Sequence, residues 1–241
     1  LSFKKKIMQK VVRIAGDGIG TEITEAVSTI LEQAGAQIEW IDARAGLGAY
    51  EELGNPLPDK TVADIRENRL ILKGPLTTPV GTGFRSVNVA LRQHFDLYAN
   101  IRPARTLPSI DSPFKNVDMV IFRENTQGLY IGKEHWLDED KKTHAESIAV
   151  VTEQASERII RAAFEYALTH DRQKVSLVHK ANILKYTTGL FLEEGKRVAK
   201  DYSSIEFEDL IIDNMAMQMV MRPERFDVVV TTNLFGDVLS D

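Results

Sequence analysis

Short runs of β-branched and aliphatic residues alternate with segments whose apolar residues recur at helical spacing. This alternation constrains the fold of the 241-residue chain more than any other feature. Val11–Ala15 reads as a strand, and Gly16-Asp17-Gly18-Ile19-Gly20 as a turn. Ile23, Ala26, Val27, Ile30, Leu31 and Ala34 then form one helical stripe, stopped by Gly35. Ile38–Ile41 reads as a strand, and Pro58-Asp59 opens a helix to about Asn68. Leu70–Lys73 is a strand, Val87–His94 a short helix and Leu97–Arg102 an extended run. Strands follow at Met119–Phe122, Ser147–Val151, Val175–Val178, Phe207–Ile212 and Val228–Thr231. Ile159, Ile160, Ala163, Phe164, Ala167 and Leu168 mark a second long helix. Such alternation predicts an α/β protein with a largely parallel sheet. No internal repeat is visible, and the charged stretch 138–142 reads as a solvated turn.

Composition removes several classes. Hydrophobic residues are 43% and charged residues 27%, which is globular rather than disordered. A net charge of −5 disfavours a broad nucleic-acid or anionic-membrane surface. There is no cysteine, so disulfides, thiolate metal sites and cysteine nucleophiles are excluded. No apolar run approaches the roughly 18 residues of a membrane helix, and the basic start lacks the long apolar stretch of a secretory signal. The expected setting is the cytoplasm, or the mitochondrial matrix in a eukaryote. Met8 reads as the natural start. The chain stops at Asp241 in a segment that reads as the opening of a helix, and it is expected to be a fragment.

Several motifs tempt and are discounted. Gly16–Gly20 is GxGxG, one residue short of the dinucleotide fingerprint, and reads as a tight turn. The five histidines form no zinc pair. No GxSxG elbow supports a serine hydrolase. Met215, Met217, Met219 and Met221 read as core packing.

Three constellations carry chemistry. Between Arg85 and Arg105 lie four arginines, no lysine and one acid, a +3 segment in an acidic chain. Arginine without lysine suits bidentate recognition of carboxylate or phosphate, against the alternative of surface ion pairs. Arg92 falls on the short helix, and Arg102 and Arg123 fall at strand ends, where α/β sheets place ligands. Asp237 and Asp241, four apart, share a helix face, and Asp213 follows a strand. Aspartate oxygens without His or Cys favour a hard cation, Mg²⁺ or Mn²⁺, against the alternative of helix caps or first-turn acids. Tyr130 follows a turn, and Lys180 ends a strand where arginines and a cation would lower its pKa and let it relay a proton.

At these residues the sequence resembles the isocitrate and isopropylmalate dehydrogenase family of β-decarboxylating, metal-dependent dehydrogenases. The motifs are GDGIG (16–20), KGPLTTP (73–79), RSVNVALRQ (85–93), LYANIRP (97–103), RENTQGLY (123–130), HKANILK (179–185), DNMAMQM (213–219) and TTNLFGDVLSD (231–241). The resemblance implies an isocitrate/isopropylmalate dehydrogenase-like two-domain α/β fold with a parallel or mixed sheet. The N-terminal part of a large domain would span 1–98, and a small domain 99–241 with a dimer clasp at about 131–151. The C-terminal part of the large domain would be absent.

It also implies roles for individual residues. Arg92, Arg102 and Arg123 would bind the shared malate carboxylates, and Tyr130 and Lys180 would do the proton work. Asp213, Asp237 and Asp241 would hold Mg²⁺ or Mn²⁺ in a site shared across a homodimer, with Lys180 and Asp213 given by one protomer, Asp237 and Asp241 by the other. Thr77, Thr78 and Asn182 would lie near the cofactor. The short clasp region resembles the NAD-linked branch, with NADP as the alternative. One departure is Gln127, where the family pattern ENTEG has the acid.

Ser86 and Asn88 decide between substrates. They sit one helical face apart and can both donate to a carboxylate. An isopropyl group would leave them unpaired, at roughly 1–3 kcal/mol for each buried group, so isocitrate is favoured. Ser86 could instead merely cap its helix. The alternatives are isopropylmalate dehydrogenase, homoisocitrate dehydrogenase or a non-catalytic regulatory isocitrate dehydrogenase subunit. No nucleic-acid or membrane partner is expected.

Overall fold

The computed structural model describes residues 8–79, 84 and 86–241. Arg85 and residues 80–83 lie outside the described residues. The chain forms two compact units, Leu1–Phe95 and Asp96–Asp241.

In the first unit β1 (Gln9–Ile14), α1 (Gly20–Gln33), β2 (Ile38–Ala43), α2 (Leu47–Leu53), α3 (Asp59–Asn68), β3 (Ile71–Lys73) and α4 (Val87–His94) follow in order. The strands form a parallel sheet of order β2-β1-β3. Val12, Ile14, Ile65, Val87 and Leu91 form its core. The helix at α1 is as expected, but its buried face is not the predicted apolar stripe. Gly20, Thr24 and Ser28 are buried, while Ile23 and Ile30 are 45% and 65% exposed. The inward polar groups are paired: the Thr24 hydroxyl donates to the Ala15 carbonyl at 3.0 Å, and Arg13 donates to the Ser28 hydroxyl at 3.3 Å.

The second unit holds β4 (Ala99–Arg105), β5 (Asp118–Glu124), β6 (Glu134–Trp136), β7 (Ala145–Ser147), α5 (Glu153–Thr169), β8 (Lys174–His179), α6 (Thr187–Ala199), β9 (Glu206–Ile211), α7 (Ile212–Met221), β10 (Val228–Thr231) and α8 (Asn233–Ser240). Its main sheet has the order β4-β5-β10-β8-β9. All pairs are parallel except the β4 edge, which is antiparallel to β5. The inner strands are buried along nearly their whole length, as expected where a parallel sheet is covered on both faces. Phe122, Phe164, Leu177 and Phe191 fill the layer against α5 and α6. Met119, Ile121, Val178, Met215 and Val229 fill the opposite layer. Burying each such side chain contributes roughly 1.5–3 kcal/mol.

Two expectations need correction here. The predicted strand at 147–151 is shorter and displaced: β7 ends at Ser147, and Val150 makes only an isolated bridge to Gly128. Of the four methionines only Met215 is fully buried. Met219 packs at the core edge, and Met217 and Met221 are exposed, because α7 covers the sheet with one face only. The 138–142 stretch is an exposed turn, as read.

Candidate active site

In the second unit the parallel strands deliver their carboxyl ends to one edge. Arg123 on β5 lies level with Thr231 on β10, Thr231 with Val178 on β8, and Val178 with Leu210 on β9. Lys180 follows β8, Asp213 opens α7 after β9, and α8 follows β10. Four consecutive strands thus place Arg123, Lys180, Asp213 and Asp237 along the edge where α/β sheets bind ligands.

Arg123 is 1% exposed. Burying a guanidinium is costly unless it is paired and hydrogen-bonded. Here Nε and Nη2 both donate to Asn233 Oδ1, at 2.9 and 2.8 Å, and Nη1 donates to Asp237. The Tyr130 hydroxyl donates to the other Asp237 oxygen. Burial, then that bond to a carboxylate, pushes the Tyr130 phenol above its ordinary value. Burial alone would raise Asp237, but the Tyr130 hydroxyl and the Arg123 charge outweigh it and hold the carboxyl below the usual range. Arg102 on β4, level with Ile121, donates to Ser240 Oγ at 2.7 Å and to Asp241 at 2.6 Å.

Lys180 Nζ donates to Asp213 at 2.6 Å, which lowers the Asp213 pKa. The turn carrying Lys180 and the exposed Asn182 is held by His179. Its Nδ1 accepts from the Ala181 amide at 3.0 Å, so the ring proton is assigned to Nε2, which donates to Asp209 at 3.1 Å.

Each proposed acid therefore meets a proposed base: Asp237 with Arg123, Asp241 with Arg102, Asp213 with Lys180. Asp237 lies mid-way along α8 and Asp241 just beyond its end, so neither is the first-turn acid considered from sequence. Asp213 is in the first turn of α7. Hard oxygen donors suit Mg²⁺ or Mn²⁺, but among the described residues no three His, Asp or Glu side chains gather as a metal group. The donor chemistry of the three aspartates fits the cation.

In the first unit, Ser86 occupies the N-cap position of α4 without a side-chain cap bond. Ser86 precedes the first turn with a ψ of 118°, so helical spacing does not apply between it and Asn88. Asn88 Oδ1 is buried without a hydrogen-bond partner. Arg92 lies one turn further on, in line with Asn88. Lys73, which the motif reading passed over, has its pKa lowered by burial and then by the nearby Arg92 charge. Thr77 and Thr78 are exposed, and the Thr77 amide donates to Asp17 at 2.8 Å. Asp17 also accepts from the Leu47 and Gly48 amides, at 3.1 and 3.2 Å, and so caps α2 from 30 residues away.

Gln127, the departure from the family pattern, binds Thr152, the N-cap of α5. Its Nε2 donates to Thr152 Oγ1 at 2.9 Å, and its Oε1 accepts from the Thr152 amide at 3.0 Å. A glutamate could accept from the Thr152 amide and hydroxyl but could not donate, so the change alters an anchor of this turn.

The profile of the family described as isocitrate/isopropylmalate dehydrogenase matches residues 10–241. The crystal structure of isocitrate dehydrogenase from Methylococcus capsulatus is 58% identical with a TM-score of 0.95, over 97% of this chain and 69% of that one. A mitochondrial regulatory subunit of NAD isocitrate dehydrogenase from Dictyostelium discoideum is 43% identical over 97% of this chain and 64% of its own. The chloroplastic 3-isopropylmalate dehydrogenase from Solanum tuberosum is 42% identical over 94% of this chain and 62% of its own. The chain thus spans less than two thirds of the length of these two curated relatives.

Proposed function

Because the chain belongs to the isocitrate/isopropylmalate dehydrogenase family, we propose that the protein oxidatively decarboxylates isocitrate to 2-oxoglutarate and CO₂ with reduction of NAD. The observation that carries this reading is the set of opposed charges at the sheet edge, Arg102 and Arg123 against Asp241 and Asp237. A tricarboxylic alcohol needs cations for its carboxylates and carboxylates for its divalent ion, and this edge supplies both.

Arg92, Arg102 and Arg123 bind the malate carboxylates, each charged hydrogen bond contributing about 1.5–3 kcal/mol. Ser86 and Asn88 receive the third carboxylate. The Ser86 hydroxyl, which makes no cap bond, and the Asn88 NH₂ would donate to that carboxylate, which favours isocitrate over isopropylmalate because an apolar substituent offers them no acceptor. Lys180 takes the proton of the C2 hydroxyl, and Tyr130, kept protonated by its surroundings, returns one to carbon after CO₂ leaves. Asp237 and Asp241 hold Mg²⁺ or Mn²⁺ together with Asp213 of a second copy, which makes the active form a homodimer. Thr77, Thr78 and Asn182 orient NAD. The bound cation would supply Lewis-acid polarisation of the C2 oxygen, and NAD the hydride acceptor.

Among the described residues no helix is long and apolar enough to cross a membrane, and we place the protein in the cytoplasm, or in the mitochondrial matrix of a eukaryote. The test is steady-state kinetics on the intact natural protein with isocitrate, homoisocitrate and isopropylmalate, with Mg²⁺ and either NAD or NADP. Preferred turnover of isocitrate with NAD is expected. Preferred turnover of isopropylmalate would overturn the substrate assignment. Activity only after addition of a different subunit would identify a regulatory chain.

A further inference from the structure

Asn233 has none of the roles above, yet it is as buried as Arg123. Its Oδ1 accepts from two of the three guanidinium nitrogens, at 2.9 and 2.8 Å. Its Nδ2 donates to the Gln127 carbonyl at 3.0 Å. These bonds define the amide orientation: a flipped side chain would set its NH₂ against two N–H donors and its oxygen against a carbonyl. The stem of Arg123 is confined as well. A Cβ added at Gly236, one turn along α8, would lie 2.5 Å from Arg123 Cγ and 2.7 Å from its Cβ.

The chemical point is the neutrality of the partner. A carboxylate at position 233 would close a bidentate ion pair and cancel the arginine charge. An amide satisfies the same two donors and leaves the charge intact. Only Nη1 turns elsewhere, toward Asp237. We infer that Asn233 is the positioning residue of Arg123, holding two of its nitrogens with a neutral acceptor so that Nη1, which pairs with Asp237 here, is left to share its charge with a substrate carboxylate. The inference rests on the reading of Arg123 as a substrate ligand.

The experiment measures isocitrate affinity in the intact natural protein, as KM and as the isocitrate-dependent rise in melting temperature. The variants are Asn233→Asp, Asn233→Ala and each of these combined with Arg123→Gln. Asn233→Asp is expected to raise KM about tenfold or more while kcat stays within about threefold, since a charged hydrogen bond is worth at least a decade of affinity. Asn233→Ala is expected to raise KM less. Neither should add to Arg123→Gln, the signature of two residues acting as one unit.

If the Asp variant does not fold, the Ala variant carries the same comparison. An unchanged KM, or an effect undiminished in the Arg123→Gln background, overturns the inference alone. Collapse of both variants would assign Asn233 to folding and overturn it too. A wild-type protein that isocitrate neither stabilises nor reacts with overturns the substrate reading, and the inference with it.

Discussion

Lys180 donates a 2.6 Å hydrogen bond to Asp213 between the carboxyl ends of two adjacent parallel strands. Lys180→Met should therefore lower kcat by about 10²-fold or more, as loss of a proton-transfer group does, with a much smaller change in KM for isocitrate. Asp213 is a depressed carboxyl, so its contribution to stability is present above its unfolded value of about 3.9 and is lost as pH falls through the folded value. Denaturant midpoints between pH 5 and pH 2 should fall less for Asp213→Asn than for the wild type.

Tyr130→Phe should preserve isocitrate binding and slow turnover by about 10²–10⁴-fold. Wild-type turnover in this variant would remove the residue from the chemistry. The phenol is raised in the folded state, so its stabilising contribution is full below the unfolded value near 10 and is lost as pH rises through the folded one. Tyr202, also raised, acts in the same sense. Melting temperature should drop more steeply above about pH 10 in the wild type than in Tyr130→Phe.

Gly236→Ala sets two effects against each other. Alanine favours a helix interior by about 1 kcal/mol over glycine. The new Cβ would meet the buried stem of Arg123 at 2.5 Å, an overpacking that costs about 1–3 kcal/mol. The stem cannot swing aside while Asn233 holds the guanidinium, so the clash wins. Chemical denaturation should show a net loss of about 1 kcal/mol, and the KM for isocitrate should rise with it.

Asp17→Ala removes the acceptor for three backbone amides, those of Leu47, Gly48 and Thr77. The expected loss is about 2 kcal/mol, given that the site is only half-buried. Asp17→Asn keeps one acceptor oxygen and should restore a good part of it. If Thr77 orients the dinucleotide, KM for NAD rises in the Ala variant and largely recovers in the Asn variant.

The strands and long helices were legible because their apolar periods are decided locally. The bounds of α3 and α4 coincide with the reading, helped by Pro58 at the start of one and the Val87–Leu91 pattern in the other. The start of α2 has no local signal, since its first amides are capped by Asp17, far away in sequence. The buried face of α1 escapes a hydropathy pattern for a related reason. Thr24 and Ser28 turn inward for bonds to Ala15 and Arg13 that hydropathy does not register.

At the candidate site, charged residues at strand ends were legible as types. Their pairing was not, since Arg123 and Asp237 lie 114 positions apart and only the sheet order brings them together. Asn233 carries no such signal, because a neutral amide adds no charge, and His179 reads only as one of five histidines without a zinc partner, since its bonds to Asp209 and Ala181 form in the fold.

Main chain meets main chain where Gly74 passes Ala15. A methyl group on Gly74 would run into the Ala15 carbonyl oxygen, and one on Gly16, whose φ is +91°, would run into that of Pro75. With no side chain interposed, a substitution at either glycine is expected to displace the 74–77 backbone that carries Thr77.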